Sequence, residues 1–168
     1  MAATVVGAER SYEAVDSSEF ADFVRPHWAA MQGLAARLAD RSVADDLVQD
    51  ALAVAWRKRA QFDPERGTPL AWLLAITADQ ARKHRRRLRP VGPLRKEPVP
   101  VGSIEADLDL HAAISKLSGR QRLAVELYYF IGLPVAEVAT AMSCSEGTVK
   151  STLSDARTKL RALVGEES

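Results

Sequence analysis

The chain has 168 residues, a formal net charge of +1 and one cysteine, and this length allows one domain or two small ones. Its 47% hydrophobic and 27% charged residues exclude wholesale disorder, while one cysteine and three scattered histidines indicate neither a disulfide framework nor a metal site. No apolar run could span a bilayer and the first residues lack the pattern of a secretory signal, so we expect a cytoplasmic protein without membrane insertion.

Apolar residues spaced three or four positions apart predict helices through residues 16–89, after a flexible N-terminal segment, residues 1–15, that shows no period. Pro26 falls inside the first helical pattern and predicts a kink or a later start. The second helix is predicted to begin after Ser42, with the hydroxyl of that serine as its cap. Thr68 is predicted to cap a third helix, and the proline that follows it suits the first turn of that helix.

Charge and aromatic residues give this first segment two notable surfaces. Six cations crowd eight positions without an acid: Arg82, Lys83, Arg85, Arg86, Arg87 and Arg89. Such a run favours nucleic-acid contact, because each neutralised phosphate releases counterions. Phe62 and Trp72 flank the preceding loop and could stack on unpaired bases, although their spacing slightly favours core packing. Trp28 and Trp56 are predicted to be core residues, and acidic residues at 45, 46 and 50 form a polar helix face.

Residues 90–106 are predicted to be an extended linker, because four prolines and two glycines in the segment PVGPLRKEPVPVG exclude a regular element. Helices resume over residues 107–164, before a short tail at residues 165–168. No stretch alternates apolar and polar residues between turn pairs, so no sheet is expected. The predicted fold is therefore all-α, with two small helical domains joined by a Pro-rich linker.

The strongest motif is a helix-turn-helix over residues 134–162. Ser145 is predicted to cap its second helix, and an apolar stripe predicts the buried face of that helix: Val149, Leu153, Ala156 and Leu160. Four polar residues are predicted on the exposed side, where such a helix meets base edges: Thr148, Lys150, Ser151 and Ser154. Arg157 and Lys159 are positioned for phosphates. Cys144, in the turn, is predicted to be a small buried hydrophobe rather than a reactive thiol.

Taken together, four segments resemble bacterial RNA polymerase sigma factors of the extracytoplasmic-function (ECF) group of the sigma-70 family. In the first domain they are DDLVQDALAVAW at 45–56 and FDPERGTPLAWLLAI at 62–76. In the second they are LSGRQRLAVELYYFIGLPVAEVATAM at 117–142 and SEGTVKSTLSDARTKLR at 145–161. The resemblance extends over nearly the whole chain, and the order and spacing of the segments make it more specific than any one of them.

The resemblance implies a sigma region 2-like domain, a sigma region 4-like domain, and a role in promoter recognition without covalent chemistry. It implies that core polymerase is bound by Asp45, Asp46, Leu47, Gln49 and Asp50. It implies that the melted −10 element is bound by Phe62, Arg66, Trp72, Asp79, Arg82, Lys83, Arg85 and Arg86. It implies that the −35 element is read by Arg120, Ser145, Glu146, Thr148, Lys150, Ser151, Ser154 and Arg157. An anti-sigma partner, a monomeric engaged state and the absence of a cofactor are further expectations.

This sequence departs from the family pattern at several positions: Ala78, Asp79, Lys83, Ser143, Thr152 and Asp155. An acid at position 79 would repel phosphate, and the changes at 152 and 155 weaken the positive field of the recognition helix. Two alternatives therefore remain open: a conventional helix-turn-helix regulator with dimerising N-terminal helices, and a sigma-like interaction protein that no longer initiates transcription. The sequence shows no paired carboxylates, no nucleophile–base set and no glycine loop that could cradle a phosphate, so it does not indicate an enzyme.

Overall fold

The computed structural model describes residues 16–88 and 105–165, and within these residues the regular structure is entirely helical. The N-terminal segment 1–15 and most of the predicted linker lie outside the described residues. Helical structure resumes at residue 105, two residues before the predicted start of the second helical domain, and the last helix ends at Gly165, one residue beyond the predicted domain boundary. Among the described residues, no helix has the length and apolar character needed to cross a membrane.

The first module, residues 16–88, contains four helices. Helix α1 spans residues 16–24, and the 3-10 turn Arg25–His27 joins it to α2, Trp28–Leu38. Pro26 lies inside that turn, where the predicted helical pattern is interrupted between α1 and α2. Helix α3 is Arg41–Lys58, followed by a 3-10 turn, and α4 is Pro69–Arg87.

The first turns of α3 and α4 show how local side chains start these helices. In α4 the Thr68 hydroxyl accepts a hydrogen bond from the Ala71 amide at 3.2 Å, as predicted. In α3 the predicted cap was wrong. Asp40, rather than Ser42, is the capping residue, and its carboxylate accepts from the Ser42 amide at 2.8 Å. This bond and the Ser42 side chain lower the pKa of Asp40.

The second module, residues 105–165, also contains four helices. Helix α5 is Glu105–Ser115, and α6 is Gly119–Val125, whose first turn is closed by a capping box between Ser118 and Gln121. The helix continues as a wider π-helical turn over Glu126–Ile131, and Gly132 ends it with a φ of 84°. Helix α7 is Val135–Met142 and α8 is Glu146–Gly165.

Helices α7 and α8 form the predicted helix-turn-helix. Val138 and Ala139 of α7 are buried, as are Val149, Leu153 and Ala156 of α8, while Leu160 is half-buried. Ser145 caps α8, accepting a hydrogen bond from the Thr148 amide at 3.1 Å. Ser143 occupies the turn position where the family commonly has glycine, and its backbone is left-handed with a φ of 52°. A side chain in this conformation stores strain of about 1 kcal/mol.

One continuous set of buried side chains runs through both modules, because α4 packs against α7 and α2 packs against the π-helical turn. The prediction that Trp28 is a core residue was wrong, since 42% of this residue is exposed at the first turn of α2. Trp56 is half-buried and packs edge-on against Phe20 at a centroid distance of 5.2 Å. Cys144 is likewise half-buried against the core, as a small apolar residue would be.

Candidate nucleic-acid and polymerase interface

The outer face of α8 presents a polar row to solvent. Glu146, Lys150, Ser151, Ser154 and Arg157 are exposed, and Arg120 is exposed on the neighbouring helix α6. Thr148 is half-buried, and its hydroxyl lies 2.9 Å from that of Ser145. The Ser151 hydroxyl donates to the Thr148 carbonyl at 3.0 Å. Lys150, Ser154 and Arg157 are therefore the side chains of the row best placed to reach an external partner.

Arg157 has a partner that the sequence analysis missed. Its guanidinium donates to the Tyr129 hydroxyl at 3.1 Å, and this bond raises the pKa of Arg157. Tyr129 lies in the π-helical turn and is 50% exposed. Position 129 lies within an apolar run, so nothing in the sequence marked this tyrosine as a partner of Arg157.

The basic end of α4 lies on the surface, with Arg82, Lys83, Arg85, Arg86 and Arg87 all exposed. Asp79, predicted to repel phosphate, forms ion pairs with Lys83 at 2.8 Å and with Arg82. The hydrogen bond from Lys83 is the largest cause of the lowered pKa of Asp79. Asp79 therefore holds two cations of the basic run, and its repulsion of phosphate stays a prediction.

We expect Asp79→Asn to increase DNA affinity and to steepen its salt dependence. The substitution frees Lys83 and Arg82 for phosphates, and each additional phosphate contact with a single strand steepens the slope of log K against log[salt] by about 0.7. Fluorescence anisotropy of a labelled single strand over a salt series measures this slope. Asp22→Asn is the matched control, because Asp22 pairs with Arg25 at 2.9 Å with the same spacing outside the basic run. An unchanged slope for Asp79→Asn would contradict this interpretation.

Phe62 and Trp72 lie close together at the opposite end of α4 from the basic run. Their rings are 5.4 Å apart, and Phe23 packs against both, at 5.3 Å from Phe62 and 6.1 Å from Trp72. Both Phe62 and Trp72 are half-buried, so each packs on one side and leaves part of its ring accessible. Arg66, in the same loop, is exposed. The core and base-stacking interpretations are thus compatible at these two residues.

The first turns of α3 carry an exposed acidic surface. Asp45, Asp46, Gln49 and Asp50 are exposed, and the Asp45 carboxylate accepts from the Gln32 amide at 2.8 Å. Leu47 is only 2% exposed in this structure, and its contact with core polymerase stays a prediction. Its side chain points into the core of the first module, because the buried stripe of an amphipathic helix contains it. The candidate surface is therefore acidic and polar, without this leucine.

Residues 16–88 and 105–165 contain no cluster of histidine, cysteine or acidic side chains that could hold a metal ion. They contain a helix-turn-helix, a helix with a cationic end and half-buried aromatic rings at its other end, and an acidic helix face. This combination defines a nucleic-acid-binding protein of two helical modules that also presents a surface for a protein partner.

The comparisons with known proteins agree on one family. Sigma-70 region 2 matches residues 23–90, and sigma-70 region 4 matches residues 107–160. The ECF RNA polymerase sigma factor SigK of Mycobacterium tuberculosis (strain ATCC 25618 / H37Rv) is 29% identical over 161 residues, covering 87% of this chain and 86% of that protein. SigK of Mycolicibacterium vanbaalenii is 28% identical over 165 residues, covering 89% of this chain and 84% of that protein.

Two solved structures have the same fold across both modules. The sigma factor RpoE in complex with the anti-sigma factor NepR, from Bartonella quintana, aligns with a TM-score of 0.66 and 29% identity, over 88% of this chain and 97% of that one. CnrH in complex with the cytosolic domain of CnrY aligns with a TM-score of 0.69 and 26% identity, over 90% of this chain and 91% of that one. This chain belongs to the ECF group of the sigma-70 family. It is a non-enzymatic transcription initiation factor rather than a conventional regulator.

Proposed function

We propose that the chain binds core RNA polymerase and divides promoter recognition between its two modules, with α8 reading the −35 element. The observation that carries this proposal is the exposed row on a helix capped at Ser145 and anchored by its buried stripe. A helix held this way enters the major groove of DNA with its N-terminal turns closest to the bases. Lys150 and Ser154 therefore contact base edges or nearby phosphates. Arg157 lies further along and binds a phosphate, held in place by Tyr129.

The first module opens the −10 element and holds the melted strand. Phe62 and Trp72 offer partly exposed rings, which tolerate any base because every base has a stacking face. The cations after Asp79 follow the strand backbone, which offsets part of the few kcal/mol needed to extrude a base. Arg66 lies between the rings and the recognition module, where it can contact the same strand.

Core polymerase binds the acidic face at the start of α3, through Asp46, Gln49 and Asp50, with Asp45 oriented by Gln32. Exposed carboxylates of this kind attract a partner protein that has a basic surface and repel one that has an acidic surface. Asp155 on α8 is exposed, so the recognition helix has a weaker positive field than a fully basic one. Binding to core supplies the missing affinity, because tethering two weak DNA contacts raises their effective concentration.

An anti-sigma factor is the second protein partner that we propose, with the engaged sigma factor monomeric. The supporting observation is that the sigma factor RpoE, similar to this chain over both modules, was solved in complex with the anti-sigma factor NepR. Transcription by RNA polymerase takes place in the cytoplasm of bacteria, which is the compartment that we propose for this chain.

Run-off transcription with purified core polymerase on fragments of the source genome tests the proposal. We expect discrete start sites with the wild-type chain and loss of those transcripts when Lys150 and Arg157 are both replaced by alanine. Lys116→Ala, which removes an exposed lysine of the turn after α5, should leave the start sites unchanged. If no fragment yields a transcript, the chain is instead a sigma-like interaction protein that binds polymerase without initiating.

A further inference from the structure

The π-helical turn Glu126–Ile131 contacts two different helices. At its start, Glu126 is 1% exposed, and its carboxylate accepts a hydrogen bond from the Arg37 guanidinium of α2. Three residues later, Tyr129 is 50% exposed, and its hydroxyl accepts from Arg157 of α8 at 3.1 Å. The turn therefore places a phenol hydroxyl at the edge of the exposed row of α8, although the tyrosine lies outside the helix-turn-helix.

The bond between Tyr129 and Arg157 leaves donors on both side chains. A phenol hydroxyl has one hydrogen to donate and two positions that accept, and the bond from Arg157 uses an accepting position. The O–H hydrogen of Tyr129 is therefore left for a second acceptor. A guanidinium has five N–H donors in a fixed fork, so Arg157 also keeps donors for an external partner. An uncharged donor and a charged donor thus lie side by side, and both side chains are exposed.

The neighbouring tyrosine orients the Tyr129 ring. The Tyr128 ring packs edge-on against it, with the ring centroids 4.9 Å apart and the ring planes at 88°. Tyr128 is itself half-buried against the core, so it restricts rotation of the exposed ring. A side chain that is already oriented loses less conformational entropy when it binds a partner. The Tyr129 hydroxyl is therefore better prepared for binding than a mobile surface group would be.

The position of Arg157 on α8 indicates which partner the two donors meet. Lys150, Ser154 and Arg157 follow one another at i, i+4 and i+7, so they share one face of the helix. Lys150 and Arg157 are about 10 Å apart along the axis, at about 1.5 Å per residue. A major groove is about 12 Å wide, so a helix that holds Lys150 against the bases places Arg157 beside the backbone. The group found there is a phosphate, which accepts hydrogen bonds and donates none.

We propose that Tyr129 and Arg157 together bind one phosphate of the −35 element, with the Tyr129 hydroxyl as a direct, uncharged donor. This inference rests on the proposed function for the identity of the DNA. The guanidinium supplies the charge, and the hydroxyl adds a donor from a separate element of the fold. Contacts from both α8 and the π-helical turn fix the rotation of α8 in the groove, because backbone contacts set the register in which other side chains meet the bases.

The first test measures promoter affinity of the complete holoenzyme over a potassium chloride series, on a promoter found by run-off transcription. Tyr129→Phe keeps the ring and removes only the hydroxyl. We expect it to weaken binding about tenfold at every salt concentration, because it removes a hydrogen bond to a charged group. Its slope of log K against log[salt] should equal that of wild type, since a neutral donor releases no counterion, whereas Arg157→Gln should make the slope shallower by about 0.9. Tyr128→Phe removes the adjacent hydroxyl as a matched control and should bind as wild type does.

The second test identifies the phosphate. Promoters that each carry one methylphosphonate in the −35 backbone lack the charge and one accepting oxygen at a single position. At one such position, we expect Tyr129→Phe and Arg157→Gln both to bind as well as the wild-type holoenzyme does. At every other position, the two variants should remain weaker than wild type.

The outcomes separate the possible roles of the tyrosine. Wild-type affinity in Tyr129→Phe, or different critical phosphates for Tyr129→Phe and Arg157→Gln, would overturn the shared phosphate. A shallower salt slope in Tyr129→Phe, with no further loss when it is combined with Arg157→Gln, would overturn the direct contact, since the tyrosine would then only position the arginine. If the wild-type holoenzyme binds no promoter, the proposed function fails, and this inference fails with it.

Discussion

Replacing both Asp46 and Asp50 by lysine is expected to weaken core polymerase binding by at least about 100-fold. Both aspartates are exposed on the same side of α3, one turn apart, where their charges contact a partner without rearranging the module. Like charges placed against each other in an interface cost several kcal/mol, and about 2.7 kcal/mol already corresponds to a 100-fold loss. Titration of fluorescently labelled chain with purified core polymerase measures the dissociation constant directly.

The control for this experiment has the same change in net charge at another acidic site. Glu19→Lys combined with Asp22→Lys alters two exposed carboxylates of α1 and leaves α3 intact. That variant should bind core polymerase within about threefold of wild type, because a distant surface charge contributes little at physiological salt. Equal losses in the two double variants would mean that net charge, rather than the α3 surface, determines binding.

Sequence patterns that span only one or two helical turns predicted the helices of this fold well. The caps at Thr68 and Ser145 form as expected, because each depends only on a side chain and the amide three residues later. Asp40 displaced Ser42 as a cap since both residue types are good caps and only the backbone geometry decides between them. Leu47 shows how two sequence signals differ, since the family motif places it beside exposed acids whereas the apolar stripe of its helix places it in the core, where it is 2% exposed.

Features that depend on contacts between modules could not be predicted. Arg37 and Glu126 are separated by 89 residues, and neither charge departs from an ordinary helix surface pattern in the sequence. Periodicity gives the face of each helix but not which faces of two modules meet. Tyr129 and Phe130 are exposed within an apolar run, and the run by itself does not tell which of its residues face outward.

The aromatic rings of the first module combine a structural and a binding role, and Trp72 shows why both must be measured. Its ring packs against Phe23 and Phe62, so removing it also removes apolar contacts inside the module. Truncation of a large core aromatic costs about 3–5 kcal/mol, and a half-buried ring costs less. Urea denaturation of each variant therefore has to accompany any binding measurement.

We expect Trp72→Ala to reduce open-complex formation by about 5- to 150-fold, which corresponds to the loss of about 1–3 kcal/mol of base stacking. Permanganate reactivity of thymines in the −10 region, with holoenzyme on a promoter found by run-off transcription, measures strand opening. Trp72→Phe keeps a stacking ring and should retain most of the signal, whereas Trp72→Leu keeps apolar volume and should lose it. Trp28→Ala removes a tryptophan of the same module that is 42% exposed and should open promoters normally. If Trp72→Leu opens promoters as well as Trp72→Phe does, the ring serves packing alone and base stacking must be assigned elsewhere.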